Sequence, residues 1–181
     1  MTALREPGRA REMLLDDALR ALPLVERYAG SLIDVGSGGG SPGIPLAAAL
    51  PGREVTLLDA ERRKCDFLRR WAPPNAEVVW GRAEEQPAGR WGVAVAKALA
   101  QPPVAAELCL PLVRKGGAVI LWLGESADLE RLETVSQQLG GGAPEPHDFG
   151  PAGGLAVLPK IAPTPPGFPR RVGVAKKRPL A

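Results

Sequence analysis

With 181 residues and a mass of 19.0 kDa, the chain has room for one domain with a substantial core and too little for two full ones. A hydrophobic content of 45% beside 24% charged residues excludes wholesale disorder, collagen and fibrous classes. No apolar run approaches the ~20 residues of a bilayer span, so no membrane association is expected. The first eleven residues carry Arg5, Glu6, Arg9 and Arg11 with no apolar segment behind them, so a secretory leader is not expected and the cytoplasm is the expected compartment. The net charge of +3 hides an asymmetry: residues 160–181 hold six cations and no acid, leaving 17 basic against 20 acidic residues elsewhere. A mildly acidic body with a basic tail suits a polyanionic partner met at one end of the molecule, although a solvated tail produces the same charge count.

In chain order, residues 13–28 read as a helix ahead of a sheet. Residues 31–35, 54–58, 76–79, 93–96 and 118–123 read as strands, each short, rich in Val, Ile or Leu and bounded by Gly, Pro or charge. Residues 42–50, 61–71, 103–113 and 127–139 carry helical patterns. In the second of these, Cys65, Leu68 and Trp71 recur at helical spacing, with arginines on the other face. Alternating strands and helices predict an α/β fold with a parallel sheet and crossover helices. Residues 145–158 are expected to return as one or two antiparallel edge strands, which Pro159 ends. The organisation expected is a short helical segment over 1–30, a catalytic body over 31–159, and a basic, Pro-rich tail over 160–181. Residues 140–181 hold 17 of the 42 Gly and Pro residues, and the prolines of the tail predict an extended strap. Cys65 and Cys109 lack a CxxC or histidine partner, so reduced buried thiols and no metal are expected.

The chemistry concentrates after the first strand, in Ile33-Asp34-Val35-Gly36-Ser37-Gly38-Gly39-Gly40-Ser41-Pro42-Gly43. Glycines crowded behind a buried strand describe a tight turn where backbone approaches a ligand. Gly38, Gly40 and Gly43 satisfy G-x-G-x-x-G, and Asp59 follows Gly38 by 21 residues, so a nicotinamide dinucleotide site has to be weighed. Against it, the turn opens at Gly36, whose matching third position is Ser41, and Asp34 sets a carboxylate before the turn. Such a carboxylate can hold an ammonium, while Asp59 can accept the hydroxyls of a ribose. That pair suits S-adenosylmethionine, which has no pyrophosphate; a purely structural glycine turn is the bland alternative.

The segment from Asp34 to Leu46 is similar to the cofactor motif of the bacterial guanine-N7 methyltransferases of small-subunit ribosomal RNA, also called glucose-inhibited division protein B. Leu57-Leu58-Asp59, Arg63-Lys64, Phe67-Leu68-Arg69, Gly81-Arg82-Ala83-Glu84-Glu85, Leu155 to Lys160 and the tail's Phe168-Pro169-Arg170-Arg171 extend the resemblance from about Met13 to the end. It implies a class I methyltransferase fold, Rossmann-like, with seven strands of which the last is antiparallel. It also implies S-adenosylmethionine-dependent methylation of N7 of guanine 527, in the 530 loop of 16S ribosomal RNA in the small subunit. By position, Gly36 and Ser41 lie along the cofactor, with Asp34, Gly38, Gly40 and Asp59 around it, Ala83 and Glu84 beside the adenine, and Lys97 where the family has arginine. Lys97 is the candidate catalytic cation, a surface ion pair being its alternative. Lysine there keeps the charge and loses the bidentate fork. The family's longer N-terminal region is reduced here to Met13 and Asp16-Asp17-Ala18.

Guanine N7 has an in-plane lone pair and no proton to lose, so the reaction asks for alignment and electrostatics, not a general base. His147 is accordingly expected to be structural. Arg170, Arg171, Lys176 and Lys177 are the expected RNA contacts. The tryptophans at 71, 80, 91 and 122 are expected to pack in the core, base stacking by Trp80 or Trp91 being the alternative. Two other functions fit the same residues: a non-catalytic RNA-binding or ribosome-assembly module, and a small-molecule methyltransferase.

Overall fold

The computed structural model describes Gly8 and residues 11–150 and 153–180; the remainder of the expected N-terminal helical segment lies outside these. A π-helical turn, Glu12–Asp16, leads into α1 (Asp17–Leu19) and then α2 (Leu22–Val25). The single helix expected over 13–28 is therefore broken. Pro23, in the first turn of α2, has no N–H to bond backwards, so a helix can restart there but not run through.

The sheet comprises β1 (Leu32–Val35), β2 (Val55–Asp59), β3 (Ala76–Trp80), β4 (Trp91–Ala96), β5 (Val113–Leu123), β6 (Glu145–Gly150) and β7 (Gly153–Pro159). Their order is β3-β2-β1-β4-β5-β7-β6. The first five run parallel, and β7 is antiparallel to both β5 and β6. Crossover helices are α3 (Gly43–Ala49), α4 (Arg62–Trp71), α5 (Pro102–Cys109) and α6 (Leu129–Gln138); α7 (Val174–Lys177) lies in the tail.

The central strands read as unbroken apolar runs because both faces are covered. Ile33, Val35, Leu58, Ala94 and Val119 point to one face, against Ala105, Ala106 and Cys109 of α5 and Leu132 and Val135 of α6. Leu32, Leu57, Val93, Val95 and Ile120 point to the other, against Leu24 and Val25 of α2, Leu46 of α3 and Leu68 of α4. The helix expected over 103–113 stops at Cys109, and a 3-10 turn over Leu110–Leu112 delivers the chain into β5. Pro111 inside that turn cannot supply the next helical donor. Of the two returning strands only β6 is an edge; β7 is buried between β5 and β6. Pro146, which donates nothing to a ladder, accordingly sits in the edge strand.

The tail is not an extended strap. Lys160, 2% exposed, gives its ammonium to the Leu139 carbonyl and to Thr164 Oγ1. Arg170 forks onto Glu107 of α5, and Ala175 of α7 is buried. Residues 160–180 thus fold back over α5 as part of the body.

Candidate functional site

Ligands of open α/β sheets bind outside the carboxyl ends of the strands, and the singled-out residues collect at the ends of β1, β2 and β4. Gly36 N–H and Ser37 N–H both donate to the Leu58 carbonyl, zipping the glycine turn to the end of β2. Asp59, 6% exposed, accepts Gly38 N–H on Oδ2 at 2.8 Å and Glu61 N–H on Oδ1 at 2.8 Å. The 21-residue spacing seen in the sequence is therefore a hydrogen bond. Asp59 positions the turn, and each carboxylate oxygen keeps a further lone pair for a ligand hydroxyl.

A cavity of about 230 Å³ opens here, and Gly36, Leu58, Asp59, Lys64, Ala83 and Leu99 line it with Glu84. Gly36 takes a φ of +77°, and a Cβ on it would stand 2.6 Å from Leu99 Cδ1. Bare backbone is what lets Leu99 pack directly against the turn at the wall of the cavity. Leu99 is held there by Ala98, a non-glycine residue with φ +54°, a strained conformation of the sort kept at ligand sites. Sequence reasoning missed Leu99, Ala98 and Lys64. The only signal available was their place directly after a strand end or at the start of a helix. A larger cleft of about 740 Å³ adjoins the cavity, and Arg82, Glu84, Leu99 and Leu108 line both.

Several expected cofactor residues do other work. Asp34 is fully buried; its Oδ2 accepts Gly43 N–H at 3.0 Å, while Oδ1 has no partner. Burial pushes this carboxyl up to about 7, partly offset by its hydrogen bonds. Gly40 faces the interior: a Cβ there would lie 2.5 Å from Ile44 Cδ1, so this glycine serves packing rather than ligand access. Ser41 donates its hydroxyl to the Leu14 carbonyl at 2.8 Å, pinning the N-terminal segment to the turn. Glu84 Oε1 accepts Gly173 N–H at 2.9 Å, so it ties the cavity wall to the tail.

Lys97 follows the last residue of β4, and its ammonium lies 2.5 Å from Asp17 Oδ2. Asp17 also accepts from Arg20 at 3.1 Å. Of the expected RNA contacts, Arg171, Lys176 and Lys177 are exposed. Arg170 is a correction: its fork is spent on Glu107, which is 3% exposed, and on the Arg178 carbonyl. His147 lies on β6, away from the cavity, with Nε2 buried and unpartnered. Trp91 packs in the core with its indole N–H on Thr56 Oγ1. Trp71 and Trp80 do not: they are 64% and 56% exposed. Among the described residues, no cluster of three or more His, Cys, Asp or Glu could hold a metal ion, and no helix is long and apolar enough to cross a membrane.

Seven strands in this order, with the last one inverted and a glycine turn leaving β1, define the class I S-adenosylmethionine-dependent methyltransferase fold. The T. thermophilus 16S rRNA N2 G1207 methyltransferase, solved in complex with AdoMet and guanosine, superposes with a TM-score of 0.65 at 19% identity, over 90% of this chain and 41% of that one. The family model for rRNA small subunit methyltransferase G matches residues 1–139. The ribosomal RNA small subunit methyltransferase G of Synechococcus sp. (strain JA-2-3B'a(2-13)) is 37% identical over 99% of this chain and 78% of its own length. The protein of that name from Pelotomaculum thermopropionicum is 39% identical over 90% and 74%. The chain belongs to the rRNA small subunit methyltransferase G family.

Proposed function

We propose that this protein transfers a methyl group from S-adenosylmethionine to N7 of guanine 527 of 16S ribosomal RNA, working on the small subunit or its RNA in the cytoplasm. Family membership over nearly the whole chain carries the reaction class. The Gly36–Asp59–Ala83–Leu99 cavity carries the site.

The residues present fit the cofactor. Bare backbone at Gly36, the spare lone pairs of Asp59 and the unpartnered Asp34 Oδ1 match a ligand that brings hydroxyls and an ammonium. Bound S-adenosylmethionine supplies an electrophilic methyl on a sulfonium. Asp59 would take ribose hydroxyls, Ala83 and the Glu84 wall would flank the adenine, and Leu99 would exclude water over the turn. Asp34 acts chiefly through Gly43, holding the start of α3 under the turn. Since N7 has no proton to give up, the remoteness of His147 from the cavity is no obstacle. The demands on the protein are alignment and charge placement. Lys97, directly after β4 and paired with Asp17, would offer its ammonium to a phosphate or the guanine O6.

Methyl transfer from labelled S-adenosylmethionine to deproteinised RNA and to intact small subunits, with the modified base mapped, tests this reading. A label at guanine N7 is expected; cofactor binding without transfer to any RNA would select the non-catalytic alternative.

A further inference from the structure

The outer face of α4 is unlike the rest of the body. In residues 61–71 five cations (Arg62, Arg63, Lys64, Arg69, Arg70) stand against Glu61 and Asp66, whereas the rest of the chain up to residue 159 has 12 basic and 18 acidic residues. Lys64 pairs with Glu61 and Arg69 with Asp66. Arg63 and Arg70 are exposed, and no pairing of theirs is found among the described residues. At 100° per residue, Arg63, Phe67, Arg70 and Trp71 fall on one stripe of the helix. Phe67 and Trp71, 41% and 64% exposed, hold their rings 6.4 Å apart. On the other flank Arg62 lies 5.6 Å over the ring of Trp80, which ends the edge strand β3. Single exposed apolar residues are ordinary on a protein surface. Three exposed aromatics interleaved with unpaired guanidinium groups are a pattern that one partner chemistry explains, because phosphates take the cations and bases take the rings.

We infer that the α4 face, from Trp80 and Arg62 across Arg63 and Arg70 to Phe67 and Trp71, is a docking surface for single-stranded RNA of the substrate. The inference rests on the RNA substrate proposed above and assigns part of its binding to a face that the tail does not supply. The face is continuous with the cofactor cavity: Trp80 donates its indole N–H to the Ala60 carbonyl at 3.1 Å, and Ala60 and Lys64 line the cavity. An RNA strand bound along α4 therefore leads toward the turn where the methyl would be delivered. Arg63 and Arg70, two helical turns apart, set two phosphate contacts about 10 Å from each other.

The test measures affinity for deproteinised 16S ribosomal RNA against salt for the wild type, for Arg63→Glu with Arg70→Glu, for Arg63→Lys with Arg70→Lys, and for Trp71→Ala. Calorimetric S-adenosylmethionine affinity serves as the check that each variant is folded. The charge-reversed variant is expected to lose about tenfold or more in RNA affinity, and to flatten the log–log salt slope by up to about 1.4, roughly 0.7 per contact on single strands. The lysine variant should keep most of both, and Trp71→Ala should lose about fivefold with its slope unchanged. Unchanged affinity and slope in the reversed variant would overturn the inference. So would a loss confined to intact subunits, which would make the partner a ribosomal protein. Mapping the methylated base on wild-type protein is a separate readout: RNA held on α4 without guanine N7 methylation would refute the proposed reaction and leave the docking surface standing.

Discussion

Gly36 and Gly40, four residues apart in one turn, answer to different physics. Gly36 lines the cavity and lets Leu99 close on the turn at its wall, while Gly40 makes room for Ile44 in the core. Gly36→Val is expected to lower S-adenosylmethionine affinity by more than tenfold in calorimetry, because a branched side chain and the positive φ both move the turn into the cavity. Gly40→Ala is expected to act first on stability, by about 1–3 kcal/mol in denaturant unfolding, through overpacking and a strained φ of +97°. Asp34 gives a pH signature. Its folded value of about 7 stands above the ordinary aspartate value of 3.8, so between these values the native state binds the proton that the unfolded chain has released. Stability without cofactor therefore falls as pH rises from about 4 to about 7, with a slope of at most ~1.4 kcal/mol per pH unit. Asp34→Asn should remove that fall in thermal melts across the range. Because an arriving ammonium favours the ionised form, wild-type cofactor affinity should rise as pH passes about 7, and the Asn variant should show no such rise. Flat wild-type affinity would mean that the orphaned Oδ1 meets no part of the ligand.

At the scale of elements, the parallel strands and the turn were legible because their signals are local. Val, Ile and Leu runs mark strands buried on both faces, and glycines behind Asp34 mark the turn. The tail was not legible, because what folds it lies far away in sequence: Arg170 reaches Glu107 across 63 positions, and Gly173 reaches Glu84 across 89. Prolines and cations by themselves describe a solvated strap equally well. Trp71 misled for the converse reason. Its spacing from Cys65 and Leu68 suits a core stripe, yet α4 turns it to the rim, where it is 64% exposed. The tail contacts carry a consequence that the sequence alone predicts wrongly. Arg170→Ala strands a carboxylate that is 3% exposed, so it should cost about 3 kcal/mol in unfolding experiments. It should also weaken S-adenosylmethionine binding by loosening the Gly173–Glu84 link, while leaving the salt slope of RNA binding unchanged. Reversing Arg171, Lys176 and Lys177 together should change that slope and spare stability. If Arg170→Ala flattened the slope and kept the melting temperature, the buried pair with Glu107 would be incidental.

Across the whole molecule, the cations divide by task. Lys160 and Arg170 are consumed in holding the tail to the body, and Arg62, Arg63 and Arg70 on α4 together with Arg171, Lys176 and Lys177 remain at the surface. The cavity lies at the strand ends near the start of α4, and its Glu84 wall is hydrogen-bonded to the tail. An anionic substrate held from both sides would present its base over the turn between Asp59 and Leu99. This reading joins an acidic body, a folded basic tail and a small cavity without a general base to one reaction. Base-resolved mapping of methyl transfer from labelled S-adenosylmethionine to 16S ribosomal RNA lacking the modification tests it most directly. The account predicts one labelled position, N7 of guanine 527, abolished by Gly36→Val and retained in a His147→Ala variant. Label at an exocyclic amine or a ribose hydroxyl, or transfer that depends on His147, would contradict it.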